Sequence, residues 1–568
     1  VLLAACACLA LASAADPLGA APADDAVAEA RAALERGDGV AAEVVGKQAL
    51  DQGAPRTAVA AYIGEGELLQ GDLAEAREWL GEGGFDAASH DRGFVALAKL
   101  EIAAGNFAAA EAAFDQVLQH GRPNAATWVE IGRMRYRAGE HHAALAAARQ
   151  ALQLDGESPA ALEFMGQLTR DAQGPLASLD LFRRAMRQAP QDMQLAAQYA
   201  ATLGDAGEHR QMLATVREIV KQSPDIPQAY YLQGILAARA GDDDLARALW
   251  WRTEDAFAET AAGMLVAGVL EYRSGNPAAA AESFAKLSRM QPLNITAQLL
   301  FARASVANGE ANVAVPVLER LAERQDASAY TLVLLARAYE QLDRRGDAAP
   351  LLDRAAALPR PASGAIAALW LRDEAGRTRD PADPVQHLRE LVNNGRVAEA
   401  RGLVAGVASQ FDGSVDLQLV AGDGALLAGD ASAARAEYRQ VALIRTNWPL
   451  VQRMVAIDLA SGNVAAARRL LATYLRTNPR DFAAAAMLGR LERDAGNAAA
   501  AAALLGYAAS AGSGPSDPLL LGDLATVEQA LGRREAALDN ARHAARLAPA
   551  NGRLSALLQR LRGSAAES

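Results

Sequence analysis

Along most of this chain, apolar side chains recur at helical spacing in stretches of about 13 residues, and a glycine or small polar residue closes every second stretch. The closures keep one register. Gly37, Gly71, Gly105, Gly139, Gly207, Gly241, Gly275 and Gly309 lie multiples of 34 residues apart, and the same count falls on Gln173, beside Gly174, and on Asp343. Seven residues before each closure stands Ala or Gly without exception, from Ala30 and Gly64 to Ala302 and Ala336. Five after it stands Ala in eight of ten cases, Ser178 and Met212 being the others. Nine after it come larger groups, Leu80, Phe114, Phe182, Val216, Trp250, Phe284, Leu318 and Leu352, with Gly46 and Ala148 as small exceptions. This pattern predicts helical hairpins: two helices approach closely only where small residues meet, and a glycine turn lets the chain reverse between them. Pro190, Pro224 and Pro292, each seventeen after its closure, are expected to end the second helix, because proline disfavours helix in the residue before it.

After Asp343 the register fails. Beside Gly376, where the next closure is due, the chain reads Arg377-Thr378-Arg379-Asp380-Pro381-Ala382-Asp383-Pro384, and two prolines so close together cannot continue a helix. The period resumes at Gly395, Gly429, Gly462, Gly496 and Gly532, each followed five later by Ala400, Ala434, Ala467, Ala501 or Ala537. The expected organisation is a linker over 15–23, one repeat block over 24–371, a charged break over 372–384, a second block over 385–551, a capping helix over 552–562 and a frayed tail over 563–568. Trp128, Ile131, Gly132 and Ala144 in one copy, and Gly166, Phe182, Ala185 and Pro190 in the next, resemble the tetratricopeptide repeat pattern. That resemblance implies an all-α solenoid of about fifteen repeats in two blocks, with a concave groove lined mainly by each first helix and able to hold protein or peptide segments.

The chain opens on Val1 to Ala14, an apolar run too short to span a bilayer, which ends in Ala12-Ser13-Ala14 before Asp16-Pro17. This is the arrangement of a secretory h-region and small-x-small cleavage site, with the true precursor start expected upstream of Val1 because no basic segment precedes it. Leu3-Ala4-Ala5-Cys6 allows a second reading, a lipobox with Cys6 lipidated, although the residues after Cys6 stay apolar; a plain apolar N-terminal helix is a third. Both cysteines, Cys6 and Cys8, fall inside this segment, so simple cleavage would leave no thiol. The localisation expected is therefore exported and periplasmic, with an outer-membrane lipoprotein as the alternative and a lipid anchor as the only membrane attachment.

Composition narrows the partners. The 568 residues are 51% hydrophobic, 5% aromatic and 22% charged, with a net charge of -12 that disfavours nucleic acid as the main partner. Only four of the 56 basic residues are Lys, which with the abundant Ala reads as the habit of a GC-rich genome. No GxxxxGK[ST], HExxH, GxSxG or CxxC motif occurs, and Gly64-Glu65-Gly66 lies inside a helical stretch. His141-His142 reads as a pair in an exposed turn, since adjacent helical residues point about 100 degrees apart and do not share a metal. Asp242-Asp243-Asp244 opens a helix, where acids suit the dipole. No enzyme, metal or cofactor is expected.

What remains is the groove. First-helix positions put Arg133, Tyr136, Arg170, Tyr231 and Tyr272 forward as partner-binding candidates, in company with Arg303 and Arg337. Such a surface suits an extended or helical peptide with apolar anchors and acids, though each side chain could equally cover a neighbouring helix. The chaperone-type version of this repeat uses Lys and Asn to hold a terminal carboxylate, and those residues are missing here. The resemblance to exported tetratricopeptide proteins implies a non-enzymatic scaffold in the bacterial envelope, serving pili, polysaccharide or outer-membrane assembly. The alternative is the regulatory arm of an enzyme such as a glycosyltransferase.

Overall fold

The computed structural model describes residues 22–357 and 414–566, apart from 293, 325, 326, 428, 511–516 and 550, together with 398, 399 and 402. Among the described residues every regular element is a helix, mostly of 13 to 15 residues, and consecutive helices pair as hairpins. Short polar side chains start them. Asp38 accepts the Ala41 N–H at 2.9 Å, Asp242 that of Leu245 at 3.1 Å, and Asn294 that of Ala297 at 3.2 Å, each satisfying a donor that has no partner within its helix. The predicted glycines stop them. Gly71 turns left-handed at φ +86°, so that Asp72 N–H reaches Glu67 O at 3.0 Å and seals the helix end. Gly174, one residue past the predicted Gln173, also has a positive φ of +97° but an extended ψ of 165°, and Asp343 is positive at φ +57° without being glycine.

The small residues of the pattern meet the large ones. A methyl group added at Gly64 would lie 2.5 Å from Leu80, one at Gly166 3.1 Å from Phe182, and one at Gly489 2.9 Å from Leu505. In each pair the position seven before the turn supports the position nine after it, so the missing side chain is the space the larger one fills. The ten residues five after the first-block turns, from Ala42 to Ala348, are at most 2% exposed. Gly46, an exception in the sequence, has a local reason: Ile63 of the following helix occupies the place, 2.5 Å from where a Cβ would stand.

The chain divides into two compact units. The first runs to Ala138 and takes in Ala146–Ala161; the second comprises Gly139–Leu145 and the chain from Leu162 on. In the first, Ala98, Ala110, Phe114, Ile131, Met134 and Ala147 form one buried cluster. In the second, Leu203, Met212, Val216 and Leu232 form another, and a larger cluster joins Leu332, Leu335 and Leu352 to Leu521, Ala548 and Leu554. Burying one such Leu or Phe side chain stabilises by about 1.5–3 kcal/mol, which repeated along the stack outweighs the modest apolar content of each alanine contact.

Three elements depart from the expected lengths. The helix Leu73–Leu80 is cut short because Gly81, Gly83 and Gly84 follow. The helix Asp243–Trp251 also ends early and is followed by a single turn, Glu254–Phe257. The terminal helix starts at Gly552 as expected but continues to Ala566, through most of the stretch read as a frayed tail. The apolar start with Cys6 and the charged break over 372–384 lie outside the described residues.

Candidate partner-binding surface

Arg133 and Tyr136 stand on the helix Ala125–Arg137 of the first unit. Both are half-buried. Arg133 lies 3.5 Å from Glu130, which also has Lys99 at 3.9 Å, so the guanidinium is part of a local charge cluster on the helix surface.

In the second unit the first helices are laced together by polar side chains. Gln167 donates to Glu163 at 3.1 Å and to Gln198 at 2.7 Å, and Gln198 donates back to Glu163 at 2.7 Å. Two residues before the turns, Arg239 donates to Gly204 O at 3.3 Å, Arg273 to Ala238 O at 2.6 Å and Gln341 to Val306 O at 3.0 Å. Each reaches back one repeat to a carbonyl at the end of the preceding first helix, where a donor is needed. Arg170 is half-buried and its guanidinium lies 3.5 Å from Thr202 Oγ1. Tyr231 stacks on Phe257, ring centroids 4.7 Å apart at 18°, and burial pushes its phenol above the ordinary value. Phe257 sits on the short turn after the truncated helix, so that irregularity supplies the stacking partner. Trp251 is 72% exposed beside the buried Trp250, as their positions on the helix required.

Tyr272 belongs to a more enclosed place. Its hydroxyl accepts from Arg303 Nε at 3.3 Å, and the guanidinium lies 4.8 Å from its ring centroid. Burial works against the Arg303 charge, but the Tyr330 and Tyr272 phenols beside it hold its pKa above the usual guanidinium value. These residues, with Val306, Leu334, Arg337 and Gln341, line a cavity of about 290 Å³ whose remaining wall includes Pro518 and Leu547 from the second block. Later repeats therefore stand beside this part of the first-helix face. Thr446 N–H donates to Asp171 O at 2.9 Å, and Arg480 donates to Gly204 O at 3.0 Å, so residues some eight repeats apart meet elsewhere in this unit as well.

His141 corrects the expectation of an exposed turn. It is 3% exposed, its Nδ1 accepting the Val415 N–H at 3.4 Å with Arg445 3.5 Å from Nε2. Burial lowers its pKa, and the Arg445 charge lowers it further. Contact with a segment 274 residues away left no mark in local sequence. Equally invisible was a buried ionic group in the second block. Arg453 holds Asp423 by two bonds of 2.7 and 2.9 Å, Tyr438 donates to the same carboxylate at 2.6 Å, and Arg453 also donates to Pro449 O at 3.0 Å. Among the described residues no group of three His, Cys, Asp or Glu is placed to hold a metal, and no helix is long and apolar enough to cross a membrane.

The tetratricopeptide repeat family profile matches residues 95–161 and 457–518, one stretch in each predicted block. Both stretches are tetratricopeptide repeats. The helical hairpins on either side carry the same turn and contact positions, and the fold is an all-α tetratricopeptide-repeat solenoid. A search of curated proteins found no match. Similar solved structures include the APC/C hetero-tetramer Cut9–Hcn1, 14% identical over 95% of this chain and 96% of that one, with a TM-score of 0.26. A tetratricopeptide repeat protein from Parabacteroides merdae is 16% identical over 41% of this chain and 93% of its own, with a TM-score of 0.31. A human IFIT1 dimer with m7Gppp-AAAA is 13% identical over 74% and 98%, with a TM-score of 0.39.

Proposed function

We propose that the chain is a non-enzymatic interaction scaffold of the bacterial envelope that holds protein or peptide segments on its first-helix faces and supports assembly or secretion of pili, polysaccharide or outer-membrane components. The observation that carries the binding part is the presence of half-buried Arg and Tyr side chains on first helices of each unit, Arg133 and Tyr136 in the first and Arg170, Tyr231 and Tyr272 in the second, which offer rigid aromatic area and guanidinium donors. Anchors of this kind typically cost about 1–3 kcal/mol each in affinity when truncated. Replacing all five by Ala is expected to weaken capture of the natural partner while the helical signal stays intact. Undiminished capture of the same proteins would place the binding surface elsewhere, and loss of folding would show these side chains to be core. The envelope part rests on the apolar start ending in Ala12-Ser13-Ala14. Residues 1–30, placed behind a basic n-region and fused to a reporter active only outside the cytoplasm, should give signal. A silent reporter would remove the envelope assignment, whereas lipid labelling abolished by Cys6→Ser would make the protein an outer-membrane lipoprotein.

A further inference from the structure

We propose that the cavity lined by Tyr272, Arg303, Tyr330 and Arg337 is a binding site for a small carboxylate carrying a short aliphatic chain. Its wall holds two guanidinium groups, two phenols and the Gln341 amide, and no acidic residue. The carboxylate that influences Tyr330 from outside the wall is Asp517, and its Oδ1 is already held by the Leu519 and Leu520 N–H groups at 2.9 and 3.1 Å. A cleft with two cations, the half-buried Arg303 and the exposed Arg337, and no acid in its lining favours an anion.

The geometry also says what kind of anion. Tyr272 fixes the Arg303 guanidinium through both its hydroxyl and its ring face, so one half of the site is oriented before a ligand arrives. Arg337 is exposed and closes the polar side, with donors in the fork that matches a carboxylate. The same lining holds Val306, Val333, Leu334 and Leu547, which a phosphate would leave unused and a branched aliphatic chain would cover. The volume of about 290 Å³ compares with about 30 Å³ per water molecule, so a ligand of five to ten heavy atoms is the appropriate size. Pro518 and Leu547 add a wall from the later repeats to this cleft, and its limited volume suits a small molecule. The site shares Tyr272 with the scaffold reading but does not rest on it, because its test uses a free carboxylate and no protein partner.

The test uses the full chain, with isovalerate as the probe and its neutral amide, isovaleramide, as the control, followed by calorimetry or ligand-observed NMR. Isovalerate should bind one site at least about tenfold more tightly than isovaleramide, since a charge-assisted pair is lost in the amide. Arg337→Gln and Tyr330→Phe should each weaken isovalerate by about fivefold or more, with isovaleramide unaffected. Equal affinity for acid and amide, no binding of isovalerate, or full affinity in Arg337→Gln would overturn the assignment. The comparison of acid with amide needs no variant, so it decides the matter even if Tyr330→Phe fails to fold.

Discussion

Replacing Arg453 by Met should loosen the second block more than any surface change. Arg453 is 2% exposed and Asp423 4%, so the pair has almost no water to fall back on. The guanidinium supplies two of the three hydrogen bonds that reach the Asp423 carboxylate, and Tyr438 supplies the third. Met fills much of the stem volume, which keeps the cavity contribution small, but the carboxylate is left buried with one donor. Breaking such a pair from one side costs about 3–5 kcal/mol, whereas removing both charges can be close to neutral. Tandem helical repeats unfold by parts, so a single melting temperature is a poor measure and local opening is the better one. Hydrogen exchange should be followed in peptides covering the helices Val415–Leu427 and Trp448–Ala460. A loss of 3 kcal/mol corresponds to exchange faster by about a hundredfold. The double variant Arg453→Met with Asp423→Leu should recover most of that protection. Exchange within a few-fold of the parent in Arg453→Met would refute the reasoning, as would a double variant as loose as the two single losses combined.

Other consequences follow from the same physics. Gly268→Ala would set a methyl group 2.7 Å from Cδ1 of Phe284, an overpacking that costs about 1–3 kcal/mol, and Phe284→Leu should relieve it. Gly275→Ala faces open space but holds φ +83°, so it should cost about 1–2 kcal/mol and gain nothing from Phe284→Leu; protection of the 261–290 helices in both backgrounds separates the two causes. Glu492 accepts from Arg468 at 2.8 and 2.6 Å, and these bonds hold its carboxyl below the ordinary value of 4.5. Its contribution is therefore complete above that value and lost as pH falls through the lower folded one, so Arg468→Ala should flatten the acid side of a stability curve taken across that range. His141 has the opposite charge type: its folded pKa is depressed, so its contribution is present above the ordinary value of 6.5 and lost as pH falls through the folded one. Exchange in the peptide around Val415 should accelerate there, and His141→Gln should remove that step; an unchanged pH profile in the variant would exclude His141 as its source.

The repeating architecture was legible because its determinants lie within one hairpin. A glycine seven before a turn and a large residue nine after it are sixteen apart in sequence, and the contact of Gly64 with Leu80 or Gly166 with Phe182 follows wherever that spacing recurs. Turn positions were legible for the same reason, since a left-handed φ nearly demands glycine, and Asp343 alone of the non-glycine described residues departs from it. The helix start at Asp242 could be read from residue type next to the turn. Tertiary structure alone decided the rest. His141 became buried, the Tyr272 face came to stand beside later repeats and Arg480 came to cap Gly204 through partners roughly 275 residues away, where no periodic pattern relates the two sides. Arg453, Asp423 and Tyr438 lie within thirty residues, yet their meeting depends on three helices packing at a given rotation. A period in sequence specifies which face each helix buries. Which distant surface then comes to rest against that face depends on small rotations summed over many repeats, and no single residue encodes that sum.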